Sequence, residues 1–424
     1  MKQKLKLFLK GILVMLLLAM KSLPCNAIGA YGAVDFNRLT NRNGLSNSQV
    51  NAIFKDQKGY VWFGTQSGLD RFDGFRMKAF LYDDGNPNSI PNNSVDEIQQ
   101  AINGSLWIHT SVGYCIYQYD KERFDRKPEE WLKTIGVDGP PYKLLIDSKK
   151  NMWMSVYGQG IYFVDVKNMT AFLFPFSKTK SRSSLPDYQV SCIREDNGQA
   201  VVTFDNGVIC RLDGYAQQVV WMDRFILNNR LSTDHSVFTF VDSKNNYWVN
   251  TNLGIYVYHK NLKKWFAGAK GYLATFGFNV PAYPGRKVII RDMARDKQGH
   301  MWIATDHNGL IYLDYAKKIC RQFMYNPNDK GSISDNSLPE LYVDDNDALW
   351  VGTYKNGVNY YSASSTKFYT IPLGDVCTIT QDLNGNLWCG TNDAGIVAYN
   401  PTTGQSSRFY GAKTGLGSEV VVSS

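Results

Sequence analysis

The sequence lacks several features that would point to a chemical class at once. No long stretch beyond residue 27 has the periodicity of an amphipathic helix. The five histidines have no close metal-ligand spacing, and the six cysteines beyond residue 27 form no CxxC pair. We therefore predict no metal and no cofactor, and we predict that these six cysteines are buried free thiols in strand interiors rather than a disulfide scaffold.

The first 27 residues have the order of a secretory signal. A lysine-rich head precedes an apolar run, Gly11 to Met20, that is short for a membrane span, and small residues follow near Ala27. We expect cleavage after Ala27, with a lipid anchor on Cys25 or an uncleaved anchor as alternatives. Five lysines and no acidic residue lie in this segment, so the formal net charge falls from +8 to +3 without it. The basic character therefore does not indicate nucleic-acid binding.

One local pattern recurs eight times along the chain. Its first copy, DQKGYVWFGTQSGLDRFDG (Asp56–Gly74), has an acidic turn with glycine, a tryptophan between apolar neighbours, a second turn and another short strand. The tryptophan position falls at residues 62, 107, 153, 201, 248, 302, 350 and 388, with Val201 in a worn copy. Most intervals are 45 to 48 residues; one of 54 contains the extra loop ATFGFNVPAYPGR, and the last is 38.

Each copy predicts four short antiparallel strands, so the fold class is all-β, a β-propeller of four-stranded blades. The Asp and Gly of each copy should form the turn between the first two strands. The tryptophan lies in the second strand, where it should pack against the next blade and remove about 150–250 Å² from water, on the order of 4–6 kcal/mol. The structural blade tryptophans are Trp62, Trp107, Trp153, Trp248, Trp302, Trp350 and Trp388.

The blade count depends on the segment VDFNRLT, which resembles a fourth strand without its first three. If Val34–Leu39 completes the last blade, residues 34–361 form a seven-bladed propeller, and residues 366–424 begin a second, truncated one. A single eight-bladed ring is the alternative. The end of the chain, TGLGSEVVVSS, resembles the segment NGLSNSQVNAI that leads into the first copy, so we expect a fragment of a longer protein.

The stretch NGLSNSQVNAIFKDQKGYVWFGTQSGLDRFDG, Asn43 to Gly74, resembles the two-component regulator propeller repeat, and the resemblance covers nearly all of residues 34–424. It implies the N-terminal, periplasmic sensor part of a Bacteroidetes hybrid two-component system, anchored in the inner membrane and homodimeric at full length. Such sensors commonly recognise glycan-derived oligosaccharides and control polysaccharide-utilisation genes. This sequence departs from the pattern: it has no phosphoacceptor histidine segment and no ATP-binding glycine motif, so we expect no kinase activity from this chain itself.

Ligand binding is expected on the face that carries the turns between second and third strands and the linkers between blades. Aromatic rings and planar donors at such positions suit sugars, and Arg or Lys suits acidic sugars. The candidate ligand-binding residues are Tyr142, Tyr157, Tyr188, His235, Arg286, Asp306, His307, Tyr354, Lys355 and Asp393.

Two other functions compete with ligand sensing. The propeller could mediate only protein contacts or dimerisation, or it could be an enzyme, a glycosidase or a lyase with a catalytic histidine. A glycosidase needs paired carboxylates at a defined separation, and no copy carries an unusual Asp or Glu at the mouth of the ring. We therefore predict no catalytic residues.

Overall fold

The computed structural model describes residues 34–177, 181–186, 189–234, 236–279, 288–362, 371, 373–392, 394–401, 405–410 and 420–421. The predicted leader, residues 1–27, lies outside them. Two compact units are present, one of Asp35–Ser365 and one that includes Thr366–Ser424. Within the described ranges, no helix has both the length and the apolar character needed to span a membrane.

The unit Asp35–Ser365 consists of four-stranded antiparallel sheets, one for each blade. The prediction of an all-β fold of four-stranded blades is confirmed. In chain order, its strands up to the third blade are β1 (Asn37–Leu39), β2 (Val50–Lys55), β3 (Val61–Thr65), β4 (Gly68–Phe72), β5 (Met77–Phe80), β6 (Val95–Gln100), β7 (Leu106–Thr110), β8 (Gly113–Gln118), β9 (Arg123–Asp125), β10 (Pro141–Ile146), β11 (Met152–Val156), β12 (Gly160–Asp165) and β13 (Thr170–Pro175).

The remaining strands of this unit repeat the same order. They are β14 (Val190–Asp196), β15 (Gln199–Phe204), β16 (Ile209–Asp213), β17 (Gln218–Asp223), β18 (Phe238–Val241), β19 (Tyr247–Thr251), β20 (Gly254–His259), β21 (Lys264–Ala267), β22 (Ile289–Arg295), β23 (Met301–Asp306), β24 (Leu310–Asp314), β25 (Ile319–Phe323), β26 (Glu340–Val343), β27 (Leu349–Gly352) and β28 (Val358–Tyr361). The described helices are short and lie in linkers: a 3-10 turn (Asn41–Asn43), α1 (Pro128–Thr134), α2 (Phe225–Asn228) and α3 (Ala269–Ala274).

The blade that ends at β28 takes its outermost strand from the beginning of the unit. Its strand order is β1-β28-β27-β26, and β1 pairs antiparallel with β28 in the register Asn37 with Tyr360 and Leu39 with Val358. The innermost strand of each blade contacts the innermost strands of the blades before and after it, and β26 contacts β2, so the seven sheets of this unit close a circuit.

A side-chain bond that the sequence pattern does not reveal joins the first turn of a blade to its tryptophan. In six copies an Asp carboxylate accepts the indole N–H six residues later, with N–O distances of 2.7 to 3.4 Å. In the first blade the other oxygen of Asp56 accepts backbone N–H groups of Lys58 and Tyr60. The aspartate therefore fixes both the turn and the orientation of Trp62, which lies 5.0 Å from the Tyr117 ring of the next blade.

The fourth blade, where Val201 replaces the tryptophan, is held differently. Its first turn is shorter, with positive φ at Asn197 and Gly198. The freed carboxylate of Asp196 accepts the hydroxyl of Tyr247, from the fifth blade, and forms an ion pair with Lys260 at 2.6 Å. In the fourth blade, the hydrogen bond between Asp196 and Tyr247 thus provides the contact with the next blade.

The second unit contains one described sheet, of β29 (Val376–Gln381), β30 (Leu387–Thr391), β31 (Ile396–Tyr399) and β32 (Ser406–Phe409). Its tryptophan, Trp388, is only half-buried, whereas the other six blade tryptophans are buried. No further sheet of this unit lies within the described residues to cover the indole. The assignment of this sheet to a second propeller stays a prediction.

The cysteine prediction holds for four of the six positions. Cys115, Cys192, Cys210 and Cys389 are buried free thiols, but Cys320 is half-buried and Cys377 is exposed. The prediction for Cys377 is wrong. The β29–β30 register skips this residue, between Val376 and Thr378, and no residue of β29 is buried.

Candidate functional site

A β-bulge near the beginning of the innermost strand distinguishes five blades of the first unit. The residues skipped by the pairing register are Asn51, Asp96, Tyr142, Ser191 and Arg291. Each bulge lies where the second strand ends and turns toward the third, as the pairing of Val50 with Thr65 shows. Bulges redirect single side chains and are frequent next to functional sites. These five residues therefore mark one end of the central channel, here called the mouth.

Two of the mouth residues are engaged with predicted site residues. The Tyr142 ring lies 6.0 Å from the ring of Tyr157, edge to face, and Tyr157 is 79% exposed in the turn of the third blade. The guanidinium of Arg291 forms an ion pair with Asp306 at 2.6 Å, and His307 Nδ1 is 2.7 Å from the other oxygen of Asp306. Of the predicted residues, the fold thus brings Tyr142 and Tyr157 together. Asp306 and His307 are consecutive in the sequence, and their partner Arg291 was not predicted.

The remaining predicted residues divide into two groups. Tyr354 and Lys355 lie in the corresponding turn of the seventh blade, where Tyr354 is half-buried and Lys355 is exposed. Four others lie outside the described residues, namely Tyr188, His235, Arg286 and Asp393.

Charged partners lower the pKa of one carboxylate at the mouth, that of Asp306. Burial by itself would raise the pKa of Asp306, but the hydrogen bond and charge of Arg291 outweigh it, with His307 adding to the effect, so the pKa of Asp306 is lowered. His307 has φ +66°, a left-handed conformation that holds its exposed side chain at the tip of the turn. On a neighbouring part of the mouth, His109 Nδ1 lies 2.5 Å from Asp96 Oδ1.

A cavity of about 420 Å³ lies in the channel and is lined mainly by the innermost strands. Its charged lining is uneven. Lys143 and Arg194 come from the adjacent third and fourth blades, and Asp292 and Glu340 come from the adjacent sixth and seventh. The second blade adds Asp96, which pairs with His109, and Glu97, which accepts the hydroxyl of Tyr114. We expected no unusual Asp or Glu at the mouth of the ring, and the carboxylates that line the channel were not predicted.

The channel carboxylates Asp292 and Glu340 are half-buried. Burial raises the pKa of Asp292, whose Oδ2 accepts the backbone N–H of Leu341 at 3.0 Å. The pKa of Glu340 is raised well above its ordinary value, first by burial and then by the charge of Asp292. Both groups therefore favour the protonated form more than an exposed carboxylate does.

The sequence carried a signal for these residues that the repeat pattern hid. The first strands of the copies differ where the channel is lined: VDEIQQ, PYKLLI, VSCIRED, IIRDMAR and ELYV contain charges inside otherwise apolar strands. The repeated tryptophans and turns do not reveal these residues, because a bulge changes which residues of a strand face inward.

Comparison with known proteins finds similarity to one family of propeller repeats. The family model for the two component regulator propeller matches residues 44–67 and 284–307. A histidine kinase of Formosa agariphila is 26% identical over 357 residues, which cover 77% of this chain and 24% of that protein. The chain thus spans about a quarter of the curated relative it matches.

Solved structures share the fold. The extracellular domain of a hybrid two component system from B. thetaiotaomicron superposes with a TM-score of 0.63 at 21% identity, covering 89% of this chain and 49% of that one. Virginiamycin B lyase from Staphylococcus aureus gives 0.50 at 12% identity, covering 77% and 98%. These likenesses establish the propeller fold. The eight copies of the pattern and the two matched segments make the chain similar to two component regulator propeller proteins.

Proposed function

We propose that this chain is a ligand-sensing propeller module, exported to the periplasm, of a hybrid two-component regulator. Its ligand would be an oligosaccharide released from a glycan, and binding would control genes for polysaccharide use. The module is not an enzyme; the kinase, the transmembrane helix and a homodimeric arrangement belong to further parts of such a regulator. The supporting facts are the family repeats and the histidine kinase relative, of which this chain covers 24%.

The aromatic pair at the mouth carries the proposal. Tyr157 leaves most of its ring exposed while Tyr142 supports one edge, and Tyr142 is itself fixed because its hydroxyl oxygen accepts the backbone N–H of Val190 at 3.1 Å. A large exposed aromatic ring has a cost in water unless a partner covers it. A sugar ring, with an apolar face and polar edges, would cover Tyr157 and extend toward the polar lining of the cavity.

The test is a calorimetric screen of oligosaccharides against the chain and two variants. Tyr157→Ala should weaken binding of any responding saccharide by about tenfold or more, which corresponds to about 1.4 kcal/mol. Phe75→Ala is the matched control, because Phe75 is 95% exposed in the β4–β5 turn, away from the turns of the mouth. Equal loss in both variants, or no binding of any saccharide, would overturn the proposal.

A contact module is the second candidate. Val112 and Leu253 are 67% and 50% exposed in the turns between second and third strands of their blades, the same kind of turn that holds Tyr157. Apolar tips on one face suit a protein partner, including a second copy of this chain. Self-association that is lost in Val112→Ser/Leu253→Ser, together with no saccharide binding, would favour this alternative.

A further inference from the structure

We propose that the channel binds the anionic group, a carboxylate or a sulfate ester, of an acidic saccharide. Lys143 and Arg194 would bind the anion, and Asp292 and Glu340 would accept hydrogen bonds from sugar hydroxyls across the cavity. This inference rests on the proposed function and adds the chemical class of the ligand.

Arg194 is the strongest observation. Its guanidinium lies in the channel lining, 5.6 Å above the Phe240 ring, and Nη1 donates to the carbonyl of Ile193 at 3.1 Å. Among the described residues, no carboxylate oxygen lies within 4.0 Å of it. A half-buried arginine normally has a direct anionic partner, because the fork of N–H donors is costly to leave unpaired, whereas Asp292, Glu97 and Glu340 act on Arg194 only at longer range.

Lys143 provides a second cation beside it. It follows the bulge residue Tyr142, pairs with Ser155 across the sheet, and is half-buried in the lining. The described part of the chain places no carboxylate within ion-pair distance of its ammonium group either. Two unpaired cations on adjacent blades define one anion-binding side of the cavity.

The carboxylates Asp292 and Glu340 lie on other blades than the two cations. Asp292 is held by the backbone of Leu341, and Glu340 is the first residue of β26, so these carboxylates belong to the sixth and seventh blades. Their negative charges, with that of Glu97, stabilise the charged form of Arg194, but neither forms a direct ion pair with it among the described residues. Burial raises the pKa of both, a shift toward the neutral carboxyl group that lessens their repulsion of an anionic ligand.

The position of the mouth fits a ligand of several sugar units. Tyr142 and Lys143 are consecutive, so the aromatic pair and the basic side of the channel adjoin each other. A saccharide stacked on Tyr157 could direct an acidic ring into the cavity. A neutral oligosaccharide would instead leave both cations without a partner.

The experiment compares matched acidic and neutral saccharides on the full chain by calorimetry. The probes are trimers of galacturonate, glucuronate and mannuronate against their methyl esters, and sulfated against desulfated galactose disaccharide; the two groups separate carboxylate from sulfate ester. We expect at least one acidic probe to bind about tenfold or more tightly than its neutral partner, with affinity falling as salt rises.

Variants locate the effect. Arg194→Gln and Lys143→Met should each lose about tenfold or more of the affinity for the acidic probe, while Arg194→Lys should restore part of the loss. Lys121→Met, which removes an exposed lysine in the β8–β9 turn, should change nothing. Thermal unfolding curves show whether each variant is folded. If Arg194→Gln does not fold, the affinities of Arg194→Lys and Lys143→Met for the acidic probe still test the proposal.

The outcomes separate this inference from the proposed function. If neutral saccharides bind as well as acidic ones and Tyr157→Ala weakens both, the acidic-ligand inference is wrong and the sensing function stands. If acidic probes bind but are indifferent to Arg194 and Lys143, the channel site is wrong. If no saccharide binds at all, both proposals fail.

Discussion

Tyr315 of the sixth blade donates its hydroxyl hydrogen to Oδ2 of Asp242 in the fifth blade, at 3.1 Å. The same oxygen accepts the indole N–H of Trp248 at 3.0 Å and the hydroxyl of Tyr272. Burial, and then the charge of Asp242, raise the pKa of Tyr315 far above its ordinary value, so the phenol stays a donor. One buried carboxylate thus fixes a turn, orients a tryptophan and joins two blades.

Replacing this carboxylate should be costly. Asp242→Asn leaves buried hydroxyl and indole donors competing for one amide oxygen, and we expect a loss of about 3 kcal/mol in the free energy of unfolding, measured by urea denaturation. Asp345→Asn is the control, since that side chain is 78% exposed and its pairing with Lys55 is on the surface. A loss below about 1 kcal/mol for both variants would contradict the interpretation.

Phe36 tests the closure of the first unit. It is 4% exposed and lies 6.1 Å from the Phe323 ring of the sixth blade and 6.2 Å from the Tyr361 ring of the seventh. Phe36→Ala should reduce the free energy of unfolding by about 3–5 kcal/mol, because it leaves a cavity beside β1. Phe75→Ala, at an exposed ring, should cost little; similar urea midpoints for the two variants would show that this segment does not stabilise the unit.

Gly352 tests how closely neighbouring blades approach. A Cβ at this position would lie 2.6 Å from the backbone oxygen of Val50 in the first blade. Gly352→Ala should therefore force the two blades apart and lower stability by about 1–3 kcal/mol. At Gly85 the nearest atom would be 3.5 Å away, so Gly85→Ala serves as the control. Thermal unfolding that ranks the two variants equally would show that the approach is not limiting.

Glu340 should make stability depend on pH. Burial, followed by the charge of Asp292, raises its pKa well above the ordinary 4.5. A carboxyl group whose pKa is higher in the folded chain stabilises fully below the unfolded pKa, and this contribution is lost as pH rises through the folded pKa. Glu340→Gln should therefore be more stable than the wild type at pH 7 to 8, with the difference vanishing near about pH 4.

The measurement is the urea midpoint at several pH values between those limits. Glu130→Gln is the control, because its carboxylate is 71% exposed and pairs with Lys127 on the helix surface. A pH profile of Glu340→Gln that runs parallel to the wild type would contradict the raised pKa.

The repeat pattern predicted the fold because its residues act locally. Asp56, Gly59 and Trp62 form one turn and one inter-blade contact, and the same spacing recurs in most blades. What could not be predicted depends on registers. The bulge that turns Tyr142 toward the mouth, and the channel position of Arg194, follow from how strands pair and from which blades become neighbours, and neither is written in a local spacing.

The pairing of Asn37 with Tyr360 also means that the ring can close only late in synthesis. During synthesis β1 emerges first, yet its partner is made only when nearly the whole first unit has left the ribosome, so β1 must wait as an unpaired edge. The closing contact is a hydrogen-bonded ladder and not a covalent link. The chain enters and leaves the ring through the same blade. Tension between those two points would therefore act first on the pairing of β1 with β28, and the ring would open there.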